Sequence, residues 1–272
     1  MKIVHRISEN ITAADRQILA SLGINAGAGI NGLVTFEVDE DHEHWSEIAA
    51  WVIQRGSFDF VNTLFTKQEI NQADWLVVMP SWHHGYPQPD EDNNGYLQAT
   101  YDLHNYCEMC GMGLKQKASF QMKGEPKWGQ KGILQMNWVY DQYFVRPEIW
   151  ETVFKPFGIP CRPVTDRKGA ELKTVLQLDV SEEVDVKTEG LRGEACRLCG
   201  RTKLHGVVRG QFPPLICSPK EAMVWSRDYF GSGGSAHHAV MISKDLARVI
   251  SEAMMQGASL SPVQQSLHDP QN

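Results

Sequence analysis

The chain has no long apolar run, no low-complexity linker and few cysteines. Across 272 residues nothing approaches the roughly 20 consecutive apolar residues of a membrane-spanning helix. The stretch from Met1 to Gln17 lacks the apolar core of a secretory signal. Together these absences set the expectation of a soluble, cytoplasmic protein. Six cysteines are too few for a disulfide scaffold in a chain of this length. Two catalytic signatures are missing as well. There is no H-E-x-x-H, and neither C-x-x-C carries the preceding proline of the zinc deaminases, since Tyr106 and Ala195 stand there.

Four of the six cysteines are grouped. Cys107-Glu108-Met109-Cys110-Gly111 and Cys196-Arg197-Leu198-Cys199-Gly200 are both C-x-x-C-G. Two intervening residues let both sulfurs of a knuckle reach one metal, and four thiols complete a tetrahedral zinc site. The glycine permits a positive φ, which turns backbone N–H groups towards the thiolates. Eighty-five residues lie between Cys110 and Cys196, so the metal would pin two distant parts of the fold together. With four thiolates no coordination position is left for water, and the expected zinc is structural. His104 and His205 lie close enough in sequence to replace a thiolate or donate to one. A redox pair would want C-x-x-C to open a helix after a strand. Neither knuckle has that setting.

The charge is uneven. Residues 1–106 hold 5 Lys+Arg and 15 Asp+Glu, a balance of −10, whereas residues 107–272 balance at +3. Acidic residues gather at Glu37, Asp39, Glu40, Asp41, Glu43 and Glu47, and again at Asp90-Glu91-Asp92. Such a field repels nucleic acid and attracts a basic protein; plain solubility is the simpler account.

Periodicity gives a coarse order of elements. Thr12 caps a helix that Gly23 stops; residues 33–38 read as a strand; Asp41 caps a helix from His42 to Gln54; and Thr66 with Glu69 forms a capping box. His42 and His44 then fall on different helix faces and do not chelate together. Residues 75–79 are a buried strand, and 118–122, 133–138 and 174–180 are strand-like. Pro147 opens a helix that Gly158 closes. Residues 239–242 form a strand, Ser243 caps a helix to Gln256, and the tail from Gly257 reads as loose. The fold class is α+β, a mixed globule with a zinc-ribbon-like knuckle site closing a long insertion. Its expected parts are an acidic region 1–106, the insertion 107–200, and a strand–helix region 201–272 packing on the N-terminal part.

Other motifs are weaker. Gly27-Ala28-Gly29-Ile30-Asn31-Gly32 matches G-x-G-x-x-G but follows a helix and precedes a strand, the reverse of a dinucleotide site. The glycine-rich run before His237 and His238 reads as a surface loop or an anion-binding turn. An enzyme would use His237 or His238 with Cys217 or Asp228; buried structural roles for Cys161 and Cys217 are commoner. The run Trp138 to Phe144 offers bases a stacking surface or packs a core.

From Phe120 onward the chain resembles the double-CXXCG motif paralogue family of myxobacteria. Besides the knuckles, the likeness is carried by Lys123-Gly124-Glu125-Pro126-Lys127-Trp128-Gly129, Arg146-Pro147-Glu148-Ile149-Trp150, Phe154-Lys155-Pro156-Phe157-Gly158-Ile159, Tyr229-Phe230-Gly231-Ser232-Gly233 and Ile242-Ser243. It covers about two thirds of the chain, and residues 1–100 carry little of it. Some members are immunity proteins against toxins exchanged among kin cells, nucleases among them. The resemblance therefore implies a non-catalytic protein that neutralises a cognate toxin. Glu37, Asp39, Asp41, Glu43 and Glu47 are the expected contacts to a basic, nuclease-type partner. The competing class is a zinc-containing nucleic-acid-binding or regulatory protein, which would present Lys115, Lys117, Arg197, Arg201 and Lys203 as a basic face. Those cations would alternatively offset the charge of a zinc tetrathiolate.

Overall fold

A computed structural model describes residues 1–27, 29–90, 95–253 and 255–265. They form a mixed α+β protein in two compact units, Met1–Glu69 with Val207–Gln211, and Ile70–Gly206 with the chain from Phe212 onward. The chain thus divides after Glu69 rather than after Tyr106, and residues 107–200 belong with 70–106. Glu91 and Asp92 of the second acidic run, Ala28 of the glycine motif and the last seven residues lie outside the described residues. No described helix is long and apolar enough to cross a membrane.

The first unit contains β1 (Lys2–Asn10), α1 (Ala13–Ser21), β2 (Leu33–Asp39), α2 (Trp45–Arg55) and β3 (Phe58–Leu64). Its sheet has the order β2-β1-β3, antiparallel throughout. Alternation decides which face is covered. Val34, Phe36 and Val38 of β2 and Ile7 of β1 point to one side, where they pack with Leu19 of α1 and Ile48, Trp51 and Val52 of α2. The other side is open, with Arg6, Thr35, Glu37, Phe58 and Phe60 all exposed. The capping box of α1 is formed: Thr12 accepts from the Asp15 N–H and Asp15 accepts from the Thr12 N–H. Asp15 also pairs with Arg55, tying the start of α1 to the end of α2. The start of α2 differs from expectation. The N–H groups of His42 and Trp45 close successive turns on the carbonyls of Asp39 and His42, so the helix begins three residues late and Asp41 caps nothing.

One polar cluster sits on the covered side of this sheet. His5 is buried against Trp45, with ring centroids 4.2 Å apart. Its Nδ1 lies 2.8 Å from Asp59 and its Nε2 lies 3.0 Å from Glu40. Arg209 joins at 2.5 Å from Glu40. The short segment Val207–Gln211 therefore completes the first unit from far along the sequence.

A short helix α3 (Lys67–Gln72), with the expected Thr66–Glu69 capping box, leads into the second unit. There follow β4 (Trp75–Pro80), α4 (Gly95–Thr100), β5 (Tyr101–Asp102), β6 (Lys115–Gln116), β7 (Ile133–Leu134) and β8 (Phe144–Val145). Next come α5 (Pro147–Ile149), which runs on as a wide turn and a tight one to Phe157, then β9 (Cys161–Thr165) and β10 (Glu171–Leu178). The remainder is β11 (Glu183–Val184), β12 (Gly193–Ala195), β13 (Thr202–Leu204), β14 (Met223–Phe230), β15 (His237–Ser243), α6 (Lys244–Glu252) and β16 (Ala258–Pro262). A seven-stranded sheet runs β12-β13-β14-β15-β4-β16, with β11 also on β14; a four-stranded sheet runs β7-β8-β10-β9. Leu76, Val240, Ile242, Leu246 and Phe154 share one core. Phe120 and Phe144, 5.4 Å apart edge to face, anchor another.

Several expected strands are cut short. Around 118–122 the backbone bonds scatter: the N–H groups of Lys117 and Ala118 both reach Thr100, and Gln121 bridges Gln88 and Thr165. The strand expected over 133–138 stops at Leu134, and Trp138 turns the chain with a φ of +68°. The helix from Ser243 ends at Glu252. The tail is not loose: β16 pairs with β4 from Ala258 opposite Pro80 to Pro262 opposite Leu76, and Pro262 is tolerated because β16 is an edge strand.

Glu40 yields a pH prediction. The hydrogen bond from His5, and then those from Arg209, hold its carboxyl below the ordinary 4.5, against a smaller opposing effect of burial. A depressed carboxyl contributes stability that is present above its unfolded pKa and lost as pH falls through the folded one. Urea denaturation should therefore show Glu40→Gln less stable than wild type at pH 7. The gap should narrow as pH drops below 4.5. A pH-independent difference would mean that the carboxylate charge is not what the cluster uses.

Candidate metal centre

Both knuckles are turns of short hairpins. The first connects β5 to β6, paired Tyr101 with Gln116 and Asp102 with Lys115. The second connects β12 to β13, paired Ala195 with Thr202. Their internal hydrogen bonds repeat. The Cys107 N–H donates to the Met112 carbonyl at 2.9 Å and the Gly111 N–H to the Cys107 carbonyl at 2.8 Å. The Cys196 N–H donates to Arg201 at 2.9 Å and the Gly200 N–H to Cys196 at 2.8 Å. The glycines have the positive φ that the motif predicts, +80° at Gly111 and +73° at Gly200.

The sulfurs converge. Sγ of Cys107, Cys110, Cys196 and Cys199 all lie within 4.8 Å of one another. Cys107 faces Cys196 at 3.7 Å and Cys110 faces Cys199 at 3.7 Å. A regular tetrahedron of sulfurs about 2.3 Å from a central metal has edges of about 3.8 Å. The group could therefore hold a metal ion. All six cysteines are free thiols, so no disulfide joins the knuckles. His104 is exposed and its N–H bonds Asp102, while His205 faces Glu194 at 3.4 Å; neither belongs to the sulfur group.

Two cations brace the centre. Lys203 is only 3% exposed, and its Nζ donates to the carbonyls of Cys110 at 2.9 Å, Gly233 at 2.5 Å and Ser235 at 2.8 Å. All three ammonium donors are thus used, which makes the burial tolerable. Arg201 donates from Nε to the sulfur of Cys199 at 3.3 Å and from Nη2 to the carbonyl of Asn105 at 2.9 Å. Its guanidinium pulls the Cys199 thiol down to about 6, and backbone N–H groups of Cys199 and Leu198 lower Cys196. On the buried knuckle the balance is opposite: burial pushes Cys110 up to about 12. A bound cation would reverse that, because a coordinating thiol is deprotonated outright. Arg201 and Lys203 are therefore spent on the centre and are lost to any basic face.

The glycine-rich run has a place here that its sequence did not disclose. Its carbonyls at Gly233 and Ser235 receive Lys203, and a Cβ on Gly111 would sit 2.4 Å from the Gly234 oxygen. The run is a lid on the first knuckle, not a free loop. His238 lies between Trp225, ring centroids 5.4 Å apart, and Tyr229, at 4.1 Å. Its Nδ1–H donates to the Ser226 carbonyl at 2.7 Å. Burial holds the imidazole of His237 below its ordinary pKa. Cys217 lines a different cavity, of about 550 Å³, whose lining contains no histidine. Cys161 lies in β9, its thiol raised by burial.

The acidic candidates are spread over more than one surface. Glu37 and Asp39 project from the open side of the first sheet, where Asp39 pairs with Lys2 at 3.2 Å. Asp41 and Glu43 lie in the turn before α2, and Glu47 lies on α2, which covers the other side of the sheet. Glu40 is taken by His5 and Arg209.

No family model matches this chain, and no curated protein matches it.

The two glycines separate conformation from space. An alanine at Gly200 meets only the strain of a positive φ, roughly 1–2 kcal/mol, because nothing lies within 4 Å of its Cβ. At Gly111 it must also displace the lid. Thermal denaturation should rank Gly111→Ala well below Gly200→Ala. Lys203→Met, which strands three carbonyls, should cost about 2–3 kcal/mol. Equal effects at the two glycines would show that the lid yields freely.

Proposed function

We propose that the protein is a non-catalytic binding protein held together by one structural zinc, and that it neutralises a cognate toxin. The observation that carries the first half is the convergence of four thiols from two hairpins. Sulfur-only ligation with near-tetrahedral spacing suits zinc, and Cys107, Cys110, Cys196 and Cys199 are its ligands. With four thiolates the ion has no open position, so it fastens the hairpins and activates nothing.

The second half rests on the family resemblance of the knuckles and of the segments from Phe120 onward. The charge balance supports the partner class: a −10 stretch over residues 1–106 favours encounter with a basic protein such as a nuclease. The nucleic-acid reading is less well supported, because Lys203 is buried and Arg201 is held on Cys199.

Protein purified without added metal should contain one zinc per chain by elemental analysis. Cys196→Ser should lower metal content and folding stability together. A disulfide within or between the knuckles of metal-free protein would overturn the assignment. Loss of a measured activity with folding intact would instead point to a catalytic ion.

The partner is tested by co-expression with toxins encoded beside this protein. Wild type should protect the host. Asp39→Lys/Glu43→Lys should slow association more than it speeds dissociation, and added salt should act in the same direction. Equal, salt-insensitive association would refute the acidic contact alone. Failure of wild type to protect against every neighbouring toxin would refute neutralisation itself.

A further inference from the structure

Beside the metal centre, wholly within the second unit, lies a cleft of about 670 Å³. Gly111, Gly113 and Arg201 form one wall, so the cleft shares its framework with the knuckles. Much of the rest is aromatic or acidic: Trp138, Tyr140, Trp225 and Tyr229 line it with Asp141 and Glu183.

The aromatic rim is unusual in two ways. Trp138 is 46% exposed and Tyr140 is 40% exposed, although large aromatic side chains lose most by facing water. Trp138 also has a φ of +68°, a conformation that bulky L-residues avoid at a cost on the order of 1–3 kcal/mol. Its indole is fixed there by Tyr86, at 4.5 Å between centroids, and by Tyr96, stacked at 6.3 Å. The fold holds an exposed tryptophan in a strained position at the mouth of a cavity.

The charges in the cleft are not evenly committed. Arg162 is paired with Asp179 at 2.8 Å, and Arg201 is held on the Cys199 sulfur. Asp141 accepts the backbone N–H of His238 at 3.1 Å and the Gln142 amide at 3.3 Å, both neutral donors. Neither Asp141 nor Glu183 has a cation within ion-pair distance among the described residues; Lys115, exposed in β6, is the one lining cation not so engaged. The open faces are thus π-systems, negative at their centres, with two carboxylates that lack a counterion.

We infer that this cleft binds a guanidinium cation. A planar, weakly hydrated guanidinium stacks on aromatic faces and presents paired N–H donors to a carboxylate, a combination an ammonium group matches poorly. The inference does not depend on the toxin assignment, since it is read with purified protein and a small molecule.

Calorimetric titration with N-acetyl-arginine amide tests it. Binding should be saturable and weakened on the order of tenfold by Trp138→Gly, as expected for loss of a desolvated cation–π contact. Glycine accepts the positive φ, so this variant should keep its fold, and an unchanged melting temperature would verify that. Glu183→Gln should weaken binding as well. The neutral isostere N-acetyl-citrulline amide should bind at least about tenfold more weakly than the arginine amide. Free arginine binding as tightly as the amide would make the source a small molecule, and preference for the amide would make it a polypeptide side chain; both support guanidinium recognition. No binding of the arginine amide, equal binding of the citrulline amide, or Trp138→Gly and Glu183→Gln both binding like wild type would overturn the inference.

Discussion

Four thiols held within 4.8 Å of one another are the constraint on which the second unit turns. Left to themselves they would not stay together in their reactive form, because neighbouring thiolates repel and burial disfavours their charge. The structure compensates from two sides. Arg201 reaches a sulfur directly, and Lys203 delivers a positive charge to the carbonyls behind Cys110 without touching sulfur. This division suits a centre that must remain a ligand set: one cation sets charge at the exposed knuckle, and the other supports the buried backbone. The lid carbonyls from Gly233 and Ser235 then tie β14 and β15 to the same point, so the largest sheet is anchored at the hairpins.

The first unit is organised differently. It relies on an amphipathic sheet with helices on one side and a buried polar cluster at His5. Its open side alternates acidic, basic and aromatic residues across three strands, with Glu37 opposite Arg6 and Arg6 opposite Phe60. The strongly negative count of the N-terminal stretch therefore does not translate into a uniformly negative sheet face. Much of the excess lies in the turn before α2 and on that helix.

What could be read from the sequence follows how local the determining interaction is. The knuckles were legible because two residues of spacing and one glycine suffice to define them. The caps at Thr12, Thr66 and Ser243 were legible because the capping side chain lies three residues from its target. The strand expected over 118–122 failed because its backbone partners, Thr100, Gln88 and Thr165, are distant in sequence and do not lie on one strand. β16 was missed for a related reason: a polar, proline-containing segment gives no alternation signal, and it becomes a strand only because β4 offers a free edge. β3 escaped notice because Phe58 and Phe60 alternate as a half-buried strand would while facing solvent. The roles of Lys203 and the glycine-rich run could not be read at all, since nothing in their own neighbourhood says that a second knuckle lies beside them.

The order in which the chain is made adds a last consequence. Cys107 and Cys110 leave the ribosome long before Cys196 and Cys199, so the first hairpin must wait as half a ligand set. The first unit waits too, because Arg209 completes the cluster around His5 and Glu40. Neither unit can reach its final form until about four fifths of the chain has emerged, and contacts of such long range slow folding. Nascent chains of this protein should therefore spend an extended interval with unpaired thiols. A cell that supplies metal and keeps cysteines reduced during synthesis would matter more to its yield than to its stability once folded.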